Sequence, residues 1–342
     1  MTRYYGSIFQ RTIETLYNIT SVIVYYTGLH FLISRLLSKR ALILSYHSIS
    51  STENERVYPD NIVSPENFER QLNYLNKIKR IVPLSTVIGY IHRGEEFPQN
   101  LACITFNDGY LDYMENAYPL LKEQNNPSTI FPITQHLESG RAKWDDHMTA
   151  MIYASPREKL VIDMANGTRS FHLLSKADRR KCILELNEYL AGVDPSTRRS
   201  TISTVQRICG DPGSDDIMMS WGEIEELSGD ALISIGCHTH THQNLGKLIP
   251  EESAYEIVHA KEILKEGLKR ECLHFCYPYG GVGSYNEEVK RLLHKEGFQT
   301  GLTTRRGLVK SDSDPYELRR IVARNDSSHR FKCSLIGLTL QR

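Results

Sequence analysis

The chain has 342 residues, of which 40% are hydrophobic and 24% are charged, so it can bury a barrel-sized core and carry an additional segment. Its 41 basic residues balance its 41 acidic ones, and no long basic run provides the electrostatic footprint of a nucleic-acid-binding protein. The seven cysteines are odd in number and lack Cys-x-x-Cys spacing, which predicts reduced thiols and excludes a disulfide framework.

Residues 16–34 contain no Asp, Glu, Lys or Arg, and we expect residues 1–40 to form an N-terminal apolar helix. A membrane-spanning helix needs about 20 mainly apolar residues, so this segment is only just long enough, and several polar residues dilute it. Insertion therefore stands beside two alternatives, a helix on the membrane surface and a helix packed against the protein. Arg35, Lys39 and Arg40 follow the segment, and their charge predicts a cytoplasmic protein attached to the inner face of the membrane.

From residue 41 onward, short apolar runs alternate with helical patterns, which is typical of a mostly parallel α/β fold. Their almost continuous apolar character implies a sheet covered on both faces, and a closed or nearly closed barrel over residues 41–342 fits best. A helical insertion is expected at about residues 143–216, as a lid or a substrate-contacting subdomain. The seven predicted strands are residues 41–46, 101–106, 128–133, 231–235, 273–277, 299–304 and 318–323.

Local signals place helices between these strands. Ser64 and Pro65 suit the N-cap and the first turn of one helix. Further helices are predicted over residues 251–268 and 286–296, and Gly297 is expected to end the second one in a left-handed conformation.

Polar side chains follow two of the predicted strands. Asp108 comes after the strand at 101–106, and His238 and His242 come after the strand at 231–235. The carboxyl ends of the strands meet at one mouth of an α/β barrel, and one carboxylate with two imidazoles leaves coordination positions open for catalysis. Two histidines four residues apart are common, so a structural role is the alternative. We predict a site for one divalent metal, with zinc first and cobalt, manganese or nickel as alternatives.

These segments resemble the motifs of the polysaccharide deacetylases, also known as carbohydrate esterase family four. The first motif of that family reads Thr-Phe-Asp-Asp-Gly, where residues 105–109 read Thr-Phe-Asn-Asp-Gly, and its second, His-Ser/Thr-x-x-x-His, resembles residues 238–242. With further similar segments, the resemblance covers roughly residues 41–340. It implies a distorted (β/α) seven-stranded barrel that removes N-acetyl or O-acetyl groups from a polysaccharide or glycan precursor, as in bacterial members of exopolysaccharide or cell-envelope assembly.

By this resemblance, several residues acquire expected roles. Asp108, His238 and His242 match metal ligands, and Asn107 occupies the position of the catalytic base. An amide can orient water but cannot accept its proton at neutral pH, and losing a general base costs on the order of 100- to 10,000-fold in rate. The metal site is expected to be intact and the base to be missing.

The resemblance also assigns residues around the mouth. Tyr279 matches a residue whose backbone N–H helps to hold the oxyanion, with a purely structural turn as the alternative. Arg320 matches a position that orients the base, with a surface ion pair as the alternative. His47 and Pro278 are expected with Tyr279 at the substrate-binding mouth, although an ordinary loop position is equally compatible with His47. No residue matches the general acid, because the context of His329 differs from that of the family.

Three hypotheses follow from Asn107. The first is a deacetylase that works without the usual base, or with another carboxylate such as Asp145 or Asp146. The second is a non-catalytic glycan-binding or assembly protein that keeps the cleft, and the third is a metal hydrolase acting on a non-sugar amide.

Overall fold

The computed structural model describes residues 15, 17–139, 142–165, 167–213 and 217–338. Its strands are β1 Leu42–Tyr46, β2 Ser48–Ile49, β3 Ile62–Val63, β4 Arg80–Ile81, β5 Leu101–Asp108, β6 Ser128–Pro132, β7 Lys159–Met164, β8 Gly167–His172, β9 Ile233–Ile235, β10 His274–Cys276, β11 Thr300–Arg306 and β12 Leu318–Val322. Its helices are α1 Tyr17–Tyr26, α2 Leu29–Leu36, α3 Pro65–Ile78, α4 Leu84–Arg93, α5 Tyr118–Glu123, α6 Thr134–Ser139, α7 Trp144–Ala154, α8 Lys176–Gly192, α9 Pro195–Cys209, α10 Trp221–Ser228, α11 Pro250–Leu268, α12 Glu287–Lys295 and α13 Ser328–Ser334.

Seven parallel strands form a barrel in the order β1, β5, β6, β9, β10, β11 and β12, and β12 pairs again with β1. Between β9 and β10 the pairing is a single parallel bridge, from Cys237 to Phe275, which we call the seam. There the Cys237 N–H donates to the His274 carbonyl, and the Cys276 N–H donates to the Cys237 carbonyl, both at 2.9 Å. The ring is therefore nearly closed, and the predicted seven-stranded barrel is confirmed.

The strands are buried on both faces, as their continuous apolar character predicts. Alternate residues point to opposite faces of a strand. In β1, Leu42 and Leu44 belong to one apolar cluster and Ile43 to another, and in β5 Ile104 and Cys103 divide in the same way. Each face of the sheet is therefore covered by its own apolar cluster. The cluster that contains Leu42 and Leu44 also contains residues of the helices outside the sheet, so those helices complete the core.

Two local predictions for helix ends are confirmed. The Ser64 hydroxyl accepts a hydrogen bond from the Asn67 N–H at 3.3 Å and caps α3. After α12, Gly297 adopts a φ of 78°, a left-handed conformation that a residue without Cβ reaches at little cost.

The insertion is only partly helical, so the prediction of a helical insertion is wrong at β7 and β8. These strands form an antiparallel hairpin. Leu160 and Ile162 are buried while Val161 between them is exposed, and this alternation favours a strand. With α7, α8 and α9 the hairpin encloses an apolar cluster separate from the barrel core.

The predicted N-terminal helix is divided into α1 and α2, which are bent by 86°. The bend occurs at Gly28, whose φ of 73° interrupts the helix. In the described part of the chain, no single helix is long and apolar enough to cross a membrane. Among the helices that the structure describes, α1 and α2 pass that test as a bent pair, by length and composition.

Polar contacts hold α1 against α13. The Arg330 guanidinium donates to the Asn18 side chain, and the Cys333 thiol donates to the Ser21 carbonyl at 3.4 Å. Most outward side chains of α1 and α2 are apolar, although Thr20 and Arg35 are also exposed. We call the apolar ones the apolar helix surface: Ile19, Val22, Ile23, Tyr26, Leu29, Phe31, Leu32 and Leu36, each at least 37% exposed. The amphipathic pair therefore presents its apolar side to the surroundings.

Candidate functional site

Three side chains that are distant in sequence meet at the mouth formed by the carboxyl ends of the barrel strands. Asp108 is the last residue of β5, and His238 and His242 lie in the loop after β9. Oδ1 of Asp108 is 3.3 Å from Nε2 of His238 and 3.6 Å from Nε2 of His242. All three side chains are buried, and their ligand atoms lie within 4.8 Å of one another. The structure thus brings together the three predicted metal ligands.

The hydrogen bonds around these atoms fit a bound cation. Nδ1 of His238 donates to the Cys276 carbonyl at 2.7 Å, which directs Nε2 toward Asp108, where a proton or a metal ion can occupy it. Within the described residues, the buried Oδ1 of Asp108 has no hydrogen-bond partner. Burial alone lowers the pKa of His238, but Cys276 and Asp108 raise it to about 10. The site therefore favours a positive charge between His238 and Asp108, such as a divalent metal supplies.

Lys143, which sequence reasoning missed, holds the second oxygen of the Asp108 carboxylate. Its Nζ lies 2.9 Å from Oδ2 of Asp108, 3.2 Å from Asp145 and 3.6 Å from Asp146, and its side chain is 2% exposed. Burial raises the pKa of Asp108, but Lys143 and His238 hold it well below its usual range. The Asp108 carboxylate is therefore ionised, and Lys143 leaves its Oδ1 to face the two histidines.

The carboxylates considered as replacement bases are engaged elsewhere. Asp146 accepts hydrogen bonds from the Tyr110 hydroxyl at 2.7 Å and the Tyr58 N–H at 2.8 Å, and burial raises its pKa to about 7. Asp145 also contacts the ammonium of Lys143. The two carboxylates hold the Lys143 ammonium in place. Because both already have partners, the hypothesis that either of them replaces the missing base is weakened.

Asn107 is buried beside a fully buried guanidinium. Nη1 of Arg320 donates to Oδ1 of Asn107 at 2.9 Å, and Nη2 lies 3.1 Å from the Cys276 sulfur. Nε of Arg320 donates to the Thr303 carbonyl at 2.8 Å. Among the described residues, Arg320 forms no ion pair with a carboxylate. Arg320 is therefore placed to orient the side chain at position 107, as predicted for the residue that orients the base, and it lies inside the barrel instead of in a surface ion pair.

The other predicted mouth residues lie close by. Nε2 of His47 is 3.4 Å from Nδ2 of Asn107, and burial lowers the pKa of His47 to about 4. The Tyr279 ring lies 5.4 Å from the His242 ring, centroid to centroid. Pro278, the residue before Tyr279, is buried. No hydrogen bond of the Tyr279 N–H is formed within the described residues, so this donor is available to a substrate oxygen.

The backbone of the site adopts conformations that are rare for residues with a side chain. Asp108, Thr239, His242 and Tyr279 have φ angles of 74°, 66°, 59° and 62°. Such left-handed residues cost on the order of 1–3 kcal/mol each and persist only where the surroundings fix them. For the histidine loop, the buried Glu256 carboxylate is one such constraint, because it accepts the N–H groups of residues 240 and 241.

Gly236 explains how the histidine loop leaves β9. A Cβ at this position would lie 2.3 Å from the Phe131 ring, so the close approach requires glycine. His329, which sequence reasoning did not accept as the general acid, lies on α13 with its ring 6.5 Å from that of Tyr25, at the N-terminal helices.

A cavity of about 1,030 Å³ opens beside the metal ligands. His242 lines it from the barrel side, and Lys143, Trp144 and Arg198 line it from the insertion. Arg198 is buried, and its guanidinium carbon lies 4.9 Å from the centre of the Trp144 ring. The cavity is large enough for more than one sugar unit, since drug-sized ligands occupy roughly 300–1,000 Å³. The insertion thus forms one wall of the cleft.

Comparisons with known proteins agree with this geometry. A family model described as polysaccharide deacetylase matches residues 94–301, which include Asn107, Asp108, His238, His242 and Tyr279. Arg320 and His47 lie outside the matched range. The match covers more than half of the chain.

Two curated relatives and one solved structure are similar over most of the chain. The poly-beta-1,6-N-acetyl-D-glucosamine N-deacetylase of Staphylococcus epidermidis is 21% identical over 306 residues, 84% of this chain and 80% of that protein. YxkH of Bacillus subtilis is 24% identical over 281 residues, 82% of this chain and 70% of that protein. The structure of the Streptococcus pyogenes deacetylase PplD in complex with acetate has a TM-score of 0.59 at 18% identity, covering 87% of this chain and 99% of that one. The structural likeness supports the fold alone.

Proposed function

The chain belongs to the polysaccharide deacetylase family, whose members are hydrolases that remove acetyl groups from carbohydrates, and we propose that it removes N-acetyl groups from an N-acetylglucosamine polymer or its precursor. The observation that carries this proposal is the meeting of Asp108, His238 and His242 beside the cavity at the barrel mouth. The name of the Staphylococcus epidermidis relative motivates the choice of polymer. Cell-envelope assembly is the setting that such a substrate implies.

Asp108, His238 and His242 would hold one divalent metal. Such an ion polarises the acetyl carbonyl and makes water a better nucleophile near neutral pH. The mixed oxygen and nitrogen ligands are compatible with zinc, our first choice, and with cobalt, manganese or nickel. Lys143 directs Oδ1 of Asp108 toward the histidines.

The other residues bind and orient the reactants. The Tyr279 N–H would donate to the oxygen of the tetrahedral intermediate, as backbone donors do in oxyanion holes. Nδ2 of Asn107 donates only, and its Oδ1 already accepts from Arg320, so Asn107 orients but takes no proton. We therefore expect turnover below that of a site with a carboxylate at this position.

The test is the release of acetate from N-acetylated β-1,6-linked glucosamine oligosaccharides by the full-length protein with added zinc. Acetate should form slowly, and it should not form with Asp108→Ala.

A second candidate function is favoured by Asn107 specifically: a glycan-binding or assembly protein without turnover. Glycan binding without acetate release from any N-acetylated glycan would establish that function and end the catalytic proposal. Acetate release only from small non-sugar amides would support the third hypothesis.

The metal ligands can be tested without activity. We expect the purified protein to bind about one zinc ion per chain and His238→Ala to lose most of it, because two ligands remain. Elemental analysis after dialysis measures this difference. His259→Ala, which removes a histidine outside the ligand set, is the matched control and should keep its metal. Equal metal content in wild type and His238→Ala would remove His238 from the site.

We also propose that the apolar helix surface lies on a membrane, with the barrel on the cytoplasmic side. A helix pair of this kind binds at the membrane interface through its apolar face. Arg35, Lys39 and Arg40 add the positive charge expected on the cytoplasmic side.

Charge on this surface should release the full-length protein from membranes. We expect Ile23→Glu combined with Phe31→Glu to move most of it from the membrane fraction to the soluble fraction, because a buried carboxylate is costly in lipid. Leu174→Glu, at an exposed leucine of the insertion, is the matched control. If wild type is already soluble after cell fractionation, the membrane proposal fails.

A further inference from the structure

A second cavity, of about 520 Å³, lies at the barrel mouth and is lined by residues of β11, β12 and α1, among others. Asp60 and Asp326 are the acidic residues in its lining. We call it the arginine cavity, because its lining contains Arg180, Arg305, Arg306, Arg320, Arg324 and Arg330.

Carboxylates neutralise only part of this charge. Ion pairs join Arg180 to Asp60 at 3.1 Å, Arg305 to Glu317 at 3.1 Å and Arg330 to Asp326 at 3.6 Å.

The guanidinium of Arg324 remains without a hydrogen bond or an ion pair within the described residues. Arg324 is half-buried, and together with burial its charge lowers the pKa of neighbouring Arg306. Arg306 and Arg324 both line the cavity, so their two positive charges adjoin the same space and favour an anion there. Guanidinium groups bind phosphate oxygens in a bidentate manner, which makes arginine the preferred residue for phosphate recognition.

The walls of the arginine cavity belong to two different surfaces. Thr304 and Gly281 line it, and the Thr304 hydroxyl donates to the Tyr279 carbonyl at 2.6 Å, so this wall adjoins the catalytic mouth. Tyr17 of α1, the helix that carries part of the apolar helix surface, also lines it. Val282, also in the lining, is 95% exposed. A ligand in this cavity would therefore lie next to the catalytic mouth and next to α1.

We propose that the arginine cavity binds the phosphate groups of a lipid-linked glycan, in which a diphosphate joins the sugar chain to a long hydrocarbon. This inference rests on the proposed function, because the catalytic mouth must receive the glycan. The three parts of such a ligand match the three neighbouring surfaces: sugar at the catalytic mouth, diphosphate at the arginines, and hydrocarbon at the apolar helix surface. A neutral free polysaccharide has no anionic group that could bind the guanidinium of Arg324.

Calorimetric titration of the full-length protein can test this without turnover. The two main probes are an N-acetylated glucosamine oligosaccharide and the same oligosaccharide linked through a diphosphate to farnesol. We expect the linked probe to bind at least about tenfold more tightly, since its diphosphate can accept charge-assisted hydrogen bonds that the free oligosaccharide lacks. Arg324→Gln and, separately, Arg306→Gln should each remove most of that gain. The exposed Arg291 on α12 provides the matched control, and Arg291→Gln should keep it.

Other probes identify the source of the phosphate. Inorganic pyrophosphate that binds as tightly as the linked probe would indicate a site for free phosphate compounds and overturn the lipid-linked assignment. Complete displacement of the linked probe by vesicles of anionic phospholipid would indicate a headgroup site and also overturn it. Equal affinity for the two oligosaccharides would overturn the proposal itself. If the linked probe binds through Arg324 but no acetate is released, the catalytic proposal fails and the arginine cavity inference stands.

Discussion

Asn107→Asp should raise the rate of acetate release by a factor of about 100 to 10,000, the usual contribution of a general base. The new carboxylate would accept the hydrogen bond that Arg320 now donates to the amide at 2.9 Å. The guanidinium would also hold the pKa of that carboxyl low and keep it ionised at neutral pH. Parallel measurements of kcat on one N-acetylated oligosaccharide, with equal zinc content verified in both proteins, give the comparison.

Two controls separate this effect from others. Adding Asp108→Ala to Asn107→Asp should abolish the gain, because the restored base then has no metal ligand set beside it. Asn107→Ala should not reproduce the gain, since it removes the amide without supplying a base. A wild type faster than Asn107→Asp would identify the amide as an adapted part of the site and would assign the base to another group.

Lys143→Met should weaken zinc binding by about 10- to 100-fold, the usual effect of losing a group that orients a metal ligand. The ammonium holds Oδ2 of Asp108 at 2.9 Å, and without it the carboxylate is free to turn. The substitution also leaves buried carboxylates without their cation, which should lower the free energy of unfolding by about 3–5 kcal/mol. Competition with a chelator gives the zinc affinity, and urea denaturation gives the stability.

Lys290→Met is the matched control, because Lys290 also contacts three carboxylates but lies on α12. It should leave the zinc affinity unchanged. Adding Asp145→Asn to Lys143→Met should recover part of the stability without recovering the zinc affinity, because Asp145 contacts the lysine and is not a metal ligand. Unchanged zinc affinity in Lys143→Met would show that Asp108 is oriented by its backbone alone.

The sequence was sufficient to predict the barrel and the meeting of Asp108, His238 and His242. Both follow from local patterns, since parallel strands end at the same edge and short loops carry their side chains there. The alternation in β7 was also present in the sequence, but it stands among strongly helical neighbours and is easily read as part of them.

Lys143 and the arginine cavity required the structure. Lys143 is 35 residues from Asp108 in sequence, and no local pattern relates an insertion residue to a strand end. The arginines of the cavity come from the insertion, from β11 and β12, from the loop after β12 and from α13, so their summed charge is visible only after folding. The sequence does not reveal this local charge, because its 41 basic residues balance its 41 acidic residues in total.

The seam between β9 and β10 links the stability of the barrel to its metal site. This junction has a single bridge, whereas β5 pairs with β1 and with β6 over several residues. Local opening should therefore start at the seam, at low free energy. His238 follows Cys237 directly, and its imidazole donates to the carbonyl of Cys276 on the opposite side of the junction. An ion held by His238 and Asp108 would join the opening edge to the carboxyl end of β5. Occupancy of the site would then protect this edge against local unfolding and proteolysis. The metal ligands would therefore stabilise the closed barrel as well as take part in catalysis.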